Sequence, residues 1–196
     1  MTEQAEAFCR ELFSNTPALK DLERDFREGV SLLCGCFQAG GKLLTCGNGG
    51  SAADSEHIVG ELMKGFLQKC PLTEEERAAI ASSGCPEPEK FSASLQRGLP
   101  AISLVSQTAL LTAFLNDVQP DMLFAQQVFA YGRPGDVLLA LSTSGNSANV
   151  VNAAYGAKAR GMKVLAFTGE AESRLSQLSD ITLRAPSRQT FRIQEY

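Results

Sequence analysis

The chain has 196 residues, of which 44% are apolar and 20% are charged, a composition typical of a globular domain and unlike that of a disordered, fibrous or membrane protein. A chain of this length can bury ~70% of the surface that its unfolded form exposes, so a single domain over residues 1–196 needs neither a disulfide nor a structural metal. The formal charge of −4 lacks the basic excess that a nucleic-acid backbone requires, so we expect no direct binding to nucleic acid.

The sequence predicts a cytoplasmic protein that does not contact membranes. It has no apolar run of roughly 18 residues, and its first ten residues lack the basic cluster and apolar stretch of a secretory signal. Six cysteines form no CxxC pair. In a reducing compartment we interpret them as small apolar residues without a functional role.

Residues 1–40 are predicted to be helical. Apolar side chains recur at three- and four-residue steps from Leu19 to Phe37, and Thr16 and Pro17 supply a cap and a first-turn proline. We expect one amphipathic helix over this segment, preceded by a shorter one.

A strand, a glycine-rich turn and a second helix follow in that order. The strand is predicted over 42–46, the turn over 47–51, and the helix from Ser51 to about Lys69. Ser51 and Asp54 fit a helix-capping arrangement. The helix has a predicted buried stripe made of Ile58, Val59, Leu62, Met63, Phe66 and Leu67.

Residues 70–98 are predicted to be an irregular insertion, because prolines and glycines interrupt every periodic pattern there. The charged patch 73–77 could cap one short helix.

Strands and helices alternate after the insertion, which predicts a parallel sheet covered on both faces. Strands are predicted over 100–105, 136–141, 163–167 and 180–183, and helices over 107–115, 121–131 and 147–160, with one more between the last two strands. Gly161 is expected to close its helix in the left-handed conformation. Residues 191–196 open a helix, so we expect the C-terminal helix to be truncated.

Two loops, at 47–51 and 142–147, each lie between a strand and a helix. Glycines let backbone N–H groups approach a ligand, and hydroxyls with helix-start amides can bind phosphate without a cation. Both loops fall at the carboxyl ends of strands, where open sheets bind ligands. Two alternatives stay open: the first loop also fits a tight turn, and the second fits a Ser/Thr-rich loop with Ser147 as N-cap.

His57, the one histidine in the chain, lies four residues before Glu61 on the helix that follows the first loop. At 100° per residue both side chains lie opposite the predicted buried stripe. One interpretation is a solvated pair that adds a few tenths of a kcal/mol. The other is a face covered by a second subunit, where the pair would serve as metal ligands or as acid and base.

Several motifs together resemble the phosphoheptose isomerase branch of the sugar isomerase (SIS) domain family. The serine-rich loop is typical of SIS domains, and the His57-x-x-x-Glu61 pair is characteristic of this branch. The matching segments are LLTCGNGGSAADSEHIVGEL at 43–62, Asn116-Asp117, GDVLL at 135–139, STSGNSANV at 142–150 and RIQE at 192–195.

The resemblance implies an α/β three-layer sandwich, with a five-stranded parallel sheet flanked by helices and N-terminal helices used in oligomer packing. It implies a homotetramer with active sites at subunit interfaces. The implied activity is aldose–ketose isomerisation, between sedoheptulose 7-phosphate and D-glycero-D-manno-heptose 7-phosphate, through an enediol. The alternative is a non-catalytic SIS module that binds a sugar phosphate or a protein partner such as a replication initiator. A dinucleotide-binding fold ranks lower, because the glycine spacing fits its fingerprint imperfectly.

The resemblance also assigns roles to individual residues. Glu61 and His57 are the implied catalytic residues. The implied substrate-binding or site-shaping residues are Asn48, Gly49, Gly50, Ser51, Asn116, Asp117, Ser142, Thr143, Ser144, Ser147 and Gln194. A zinc ion would be held by His57, Glu61 and Gln194 and by a histidine that the family places about two helical turns after Gln194, past the last residue of this sequence.

Overall fold

The computed structural model describes residues 2–196, and Met1, the first residue of the predicted domain 1–196, lies outside the described residues. The five strands are β1 (Leu43–Cys46), β2 (Ala101–Ser103), β3 (Val137–Leu141), β4 (Lys163–Gly169) and β5 (Ile181–Ala185). All neighbouring strands are parallel, and their order is β2-β1-β3-β4-β5. The predicted α/β class and the five-stranded parallel sheet are therefore confirmed.

Helices cover both faces of the sheet. The helices of residues 2–196 are α1 (Glu3–Asn15), α2 (Glu23–Gln38), α3 (Gly50–Met63), α4 (Glu74–Ser82), α5 (Pro88–Ser94), α6 (Thr108–Asp117), α7 (Leu123–Tyr131), α8 (Ala148–Ala159), α9 (Arg174–Leu178) and α10 (Thr190–Glu195), with short 3₁₀ helices at Pro17–Leu22 and Pro120–Met122. No helix in this described part of the chain is both long and apolar enough to cross a membrane.

Strand β3 shows how the two cores form. Its five residues are all buried, and alternate side chains point to opposite faces because a strand has a period of two. Leu138 and Ala140 join the core under α7, α8 and α9. Val137, Leu139 and Leu141 join the core under α2 and α3. The sheet is thus the middle of three layers, as expected for an α/β sandwich.

The amino ends of β1 and β3 are joined by a buried carboxylate. Asp136 accepts hydrogen bonds from the Lys42 backbone N (2.9 Å), the Arg133 backbone N (2.9 Å) and Lys42 Nζ. Burial alone would raise the pKa of Asp136, but these hydrogen bonds outweigh it and hold the pKa below its ordinary value. This clasp lies at the edge of the sheet opposite the two predicted ligand loops.

Helix α3 is shorter than predicted. It ends at Met63, because Lys64 is extended (φ −136°, ψ 108°) and Gly65 turns the chain back toward Gln96. Met63, Phe66 and Leu67 were predicted to be buried, and that prediction is wrong: they are 56%, 68% and 86% exposed. The apolar period continues in the sequence to Leu67, but the helix ends at Met63, so Phe66 and Leu67 do not fall on a helical face.

The insertion is more regular than predicted. Thr73 and Glu76 form a capping box that begins α4, as the charged patch indicated. A second helix, α5, begins at Pro88 and was not predicted. Proline in the first turn is compatible with a helix, since the missing N–H would have had no partner there.

The N-terminal segment forms α1 and α2 separated by a 3₁₀ helix that starts at Pro17. The predicted shorter helix is α1, and the predicted amphipathic helix begins in the 3₁₀ conformation at Pro17 and continues directly as α2, while Thr16 makes no side-chain cap bond. At the end of α8, Gly161 has φ +72°, which confirms the predicted left-handed closure. Cys46 is buried, and burial raises the pKa of its thiol to about 12, as expected for a cysteine used as a small apolar residue.

Candidate functional site

The two ligand loops begin side by side at the carboxyl edge of the sheet. Cys46 is paired with Ala140 in parallel register, so the glycine turn after β1 lies next to the serine loop after β3. The strand order reverses between these two strands, and such a point opens a crevice in an α/β sheet. The side chains of Asn48, in the glycine turn, and Asn149, in the first turn of α8, join across this crevice with two hydrogen bonds of 2.9 Å.

Glycines define the shape of the first turn. A Cβ on Gly47 would lie 2.5 Å from the carbonyl oxygen of Ser51, and Gly49 has φ +57°. A Cβ on Gly50 would overlap the amide of Gln194, so α10 rests directly on the turn. The predicted cap by Ser51 and Asp54 is wrong, because Gly49 is the N-cap residue and Ser51 lies buried inside the first turn.

Strand β4 and the segment after it hold the serine loop in place. The Ser142 backbone N donates to Phe167 O, and Gly169 N donates to Thr143 O, both at 3.0 Å. Gly145 has φ +64° and packs against the buried side chain of Ser173. The loop is therefore a fixed part of the fold at the edge of the sheet.

The hydroxyls of this loop stand at the start of α8. Ser147 is the N-cap residue, as predicted, but its side chain makes no cap hydrogen bond and instead accepts one from Ser142 Oγ (3.1 Å). The Ser147 side chain therefore caps none of the first-turn amides of α8; Val150 N donates to Asn149 Oδ1 (3.0 Å), and the amides of Ala148 and Asn149 are the ones that suit a negatively charged group. Ser144 is exposed, and its Oγ accepts a hydrogen bond from Asn146 N (3.2 Å).

His57 and Glu61 lie on the outer side of α3, as predicted. His57 Nε2 and Glu61 Oε1 are 3.2 Å apart, and the side chains are 77% and 42% exposed. In this single chain the pair is solvated on one side, and His57 borders a cavity that the two loops also line.

A cavity of about 310 Å³ joins several of the predicted residues. Its polar part contains residues from both loops, from α3 and from α10, namely Ser51, His57, Ser142, Thr143 and Gln194. The remaining predicted substrate residues Asn48, Gly49, Gly50, Ser144 and Ser147 lie on the same two loops, outside the lining itself.

Asn116 and Asp117 are not brought to this cavity. They lie at the exposed end of α6, where Asn116 Nδ2 donates to Asp117 Oδ1 at 2.7 Å. Glu61 likewise does not line the cavity and contacts it through His57.

Sequence reasoning missed two polar residues of the cavity, Asp54 and Thr168, together with Tyr196 and most of the apolar wall. Asp54 lies one helical turn before His57, and burial raises the pKa of its carboxyl while nearby His57 opposes that shift. Thr168 is buried at the carboxyl end of β4. Both could have been found from the sequence: Asp54 lies one helical turn from His57, and Thr168 lies directly after a predicted strand. No pattern in the sequence points to the apolar wall from the N-terminal helices, including Leu12, Phe13 and Phe26.

The residues of this site do not by themselves form a zinc centre. No three His, Cys, Asp or Glu side chains among residues 2–196 converge as metal ligands. His57 and Glu61 supply two, and the neutral amide of Gln194 is a poor substitute for the imidazole, thiolate or carboxylate groups that zinc prefers.

Comparison with known proteins identifies the family. A model of the SIS domain matches residues 8–94 and 90–169. The chain belongs to the SIS domain family. The resemblance that the sequence motifs indicated is thereby confirmed.

Similar SIS proteins include the phosphoheptose isomerase of Rhodospirillum rubrum, 37% identical over 195 residues, which cover 100% of this chain and 90% of the relative. The phosphoheptose isomerase of Thiobacillus denitrificans is 40% identical over 185 residues, covering 93% and 81% respectively. The solved phosphoheptose isomerase GmhA of Neisseria gonorrhoeae superposes with a TM-score of 0.73 at 34% identity, covering 97% of this chain and 88% of that one. A phosphoheptose isomerase structure from Francisella tularensis gives the same TM-score at 30% identity, covering 100% and 92%.

Proposed function

We propose that this SIS protein is an aldose–ketose isomerase that interconverts sedoheptulose 7-phosphate and D-glycero-D-manno-heptose 7-phosphate. One observation carries the proposal: a single cavity is bordered by the serine loop and by His57 of the His57–Glu61 pair. A phosphate anchor and a proton-transfer group therefore lie within reach of one small substrate. The relatives named phosphoheptose isomerase support this reading over that of a non-catalytic module.

The phosphate would be held by hydroxyls and amides rather than by cations. Ser142, Thr143, Ser144 and Ser147 supply the hydroxyls, and the start of α8 supplies backbone N–H groups. These dipoles act locally, so the net charge of −4 does not prevent binding of an anion. Anchoring the phosphate end fixes the position of the carbonyl end, which is how binding energy contributes to rate.

Glu61 would act as the base in a site completed by a second chain, because in its own chain it lies beside His57 and outside the cavity lining. In the ketose-to-aldose direction a base removes a proton from C1, the resulting enediol is reprotonated at C2, and a proton moves from O1 to O2. Glu61 would carry the carbon-bound proton, and His57, 3.2 Å away, would serve the oxygens. Positioned acid–base groups of this kind contribute about 10²- to 10⁴-fold in rate.

A second copy of the chain would cover the exposed side of this pair. His57 and Glu61 lie on an open helix face, and Asn116 and Asp117 lie away from the cavity of their own chain. An oligomer, with the tetramer as the expected form, would enclose the first pair and could bring the second to a neighbouring site. Light scattering on the purified protein measures the mass, and a monomer at working concentration would contradict this part of the proposal.

Zinc stays a prediction from the resemblance, and so does a cytoplasmic location. Two ligands of the preferred types, His57 and Glu61, do not complete a zinc site, so we derive no step through the metal. Elemental analysis of purified protein, with H57A as a control, tests whether zinc binds in stoichiometric amount.

The decisive experiment replaces the base. E61Q removes the carboxylate but keeps its size, and kcat for sedoheptulose 7-phosphate should fall about 10²- to 10⁴-fold while inorganic phosphate still binds. E56Q is the matched control, since Glu56 lies on the same helix and accepts a hydrogen bond from Ser106 (2.7 Å). Undiminished isomerisation by E61Q would refute the assignment. A wild-type protein that binds phosphate without turnover would instead support a non-catalytic SIS module.

A further inference from the structure

The contact between Asn48 and Asn149 joins parts of the chain that are 101 residues apart. Asn48 Nδ2 donates to Asn149 Oδ1, and Asn149 Nδ2 donates to Asn48 Oδ1, both at 2.9 Å. The two amides thus form a reciprocal pair. It lies between the glycine turn after β1 and the first turn of α8, across the crevice of the sheet.

The orientation of both amides is determined by a third contact. Oxygen and nitrogen of an asparagine amide are assigned from their hydrogen-bond partners. The backbone N of Val150 donates to Asn149 at 3.0 Å, so the atom that it contacts must be the oxygen. With Asn149 oriented in this way, the pairing leaves Asn48 a single orientation that satisfies both bonds.

Asn48 retains binding capacity after this pairing. A side-chain amide has two N–H donors and two acceptor lone pairs, and the pair uses one of each. Asn48 is exposed, and its amide is held in place by the two hydrogen bonds to Asn149. One donor and one acceptor therefore stand at a fixed place beside the serine loop, and a sugar hydroxyl can use both.

We propose that Asn149 is a positioning residue, which orients the Asn48 amide to bind hydroxyl groups of the sugar chain beside the anchored phosphate. The proposal rests on the proposed function, because it assumes that a phosphorylated polyol reaches from the cavity to this crevice, where Asn48 lies outside the cavity lining. Asn149 acts through Asn48, so its effect should appear in recognition of the sugar and not in recognition of phosphate.

The test measures binding by calorimetry for two ligands, sedoheptulose 7-phosphate and inorganic phosphate. In N149A the Asn48 amide can rotate, and we expect the Kd of the sugar phosphate to rise about tenfold, as for loss of one oriented hydrogen bond. The Kd of inorganic phosphate should stay within about twofold, a change too small to represent a lost hydrogen bond.

N152A is the matched control. Asn152 lies one turn further along α8 and also makes a side-chain hydrogen bond, from Nδ2 to Asp121 O at 2.9 Å. We expect N152A to lower the melting temperature about as much as N149A does and to leave both Kd values unchanged. This comparison separates a general loss of stability from a loss of orientation.

The double variant N48A/N149A distinguishes action through Asn48 from independent action. If Asn149 works through Asn48, the double variant binds the sugar phosphate no more weakly than N48A. Effects that multiply would overturn the proposal, and so would an N149A protein with wild-type affinity or with parallel losses for both ligands. Failure of the isomerase proposal is seen separately, as a wild-type protein that binds sedoheptulose 7-phosphate but does not convert it.

Discussion

Replacing Gly145 with alanine would test whether the serine loop must keep its observed path. Gly145 has φ +64°, a conformation that costs a residue with a side chain about 1–2 kcal/mol. The added Cβ would also overlap Ser173 Oγ and lie 2.5 Å from Ser173 Cβ. Ser173 is buried and its Oγ caps α9 by accepting from Ser176 N at 3.2 Å, so it cannot easily move aside.

Overpacking of this kind costs about 1–3 kcal/mol, so G145A should lower the free energy of unfolding by about 2–5 kcal/mol in total. G135A is the control, because Gly135 has φ +92° with nothing within 4 Å of an added Cβ. It also places a side chain at positive φ, but without a clash, and the unfolded-state effect of Gly to Ala is common to both variants.

Urea unfolding of both variants gives the two free energies, and calorimetry gives their affinity for inorganic phosphate. We expect G145A to be the less stable by about 1–3 kcal/mol and to bind phosphate more weakly, while G135A binds as the wild type does. Equal destabilisation with equal phosphate affinity would refute the view that contact with Ser173 fixes the loop.

Two further predictions concern the hydrogen bonds of Asp136 at the amino ends of β1 and β3 and the hydroxyls of the serine loop. D136N should destabilise the protein by about 2 kcal/mol without changing kcat. Because the pKa of Asp136 is lowered in the folded state, its contribution is complete above about pH 4 and is lost as the pH falls further. In urea unfolding at a series of acidic pH values, the difference in the free energy of unfolding between wild type and D136N should therefore become smaller below about pH 4. A difference that stays constant would contradict this. S147A removes the acceptor of Ser142 Oγ and should raise the Kd of inorganic phosphate about tenfold; S94A, with an exposed hydroxyl on α5, should bind normally.

Much of the fold could be predicted from local patterns. The run 137–141 is apolar throughout and becomes the fully buried strand β3, and the Thr73–Glu76 spacing becomes a capping box. Local patterns failed where contacts between distant parts of the chain determine which side chains are buried. Phe66 and Leu67 continue the apolar period of α3, yet the turn at Gly65 leaves them exposed.

The parts of the site that come directly after a strand could be predicted from the sequence. The residues of both loops lie where the parallel sheet requires, since the carboxyl ends of β1 and β3 share one edge. The apolar wall that α1 and α2 contribute, with Phe13 and Phe26, depends on how helices far from the loops dock. The Asn48–Asn149 pair spans 101 positions, and no periodicity in the sequence points to it.

The parallel pairing of β1 with β3 has a consequence for how the protein is made. About ninety residues separate the two strands in the sequence, between Cys46 and Val137, so the phosphate-binding edge cannot form until a ribosome has synthesised well over half of the chain. In a series of ribosome-bound chains arrested at increasing lengths, phosphate would stabilise only those long enough for the start of α8 to have emerged from the exit tunnel. Ligand-dependent protease resistance of such arrested chains would therefore mark the moment at which the centre of the sheet assembles.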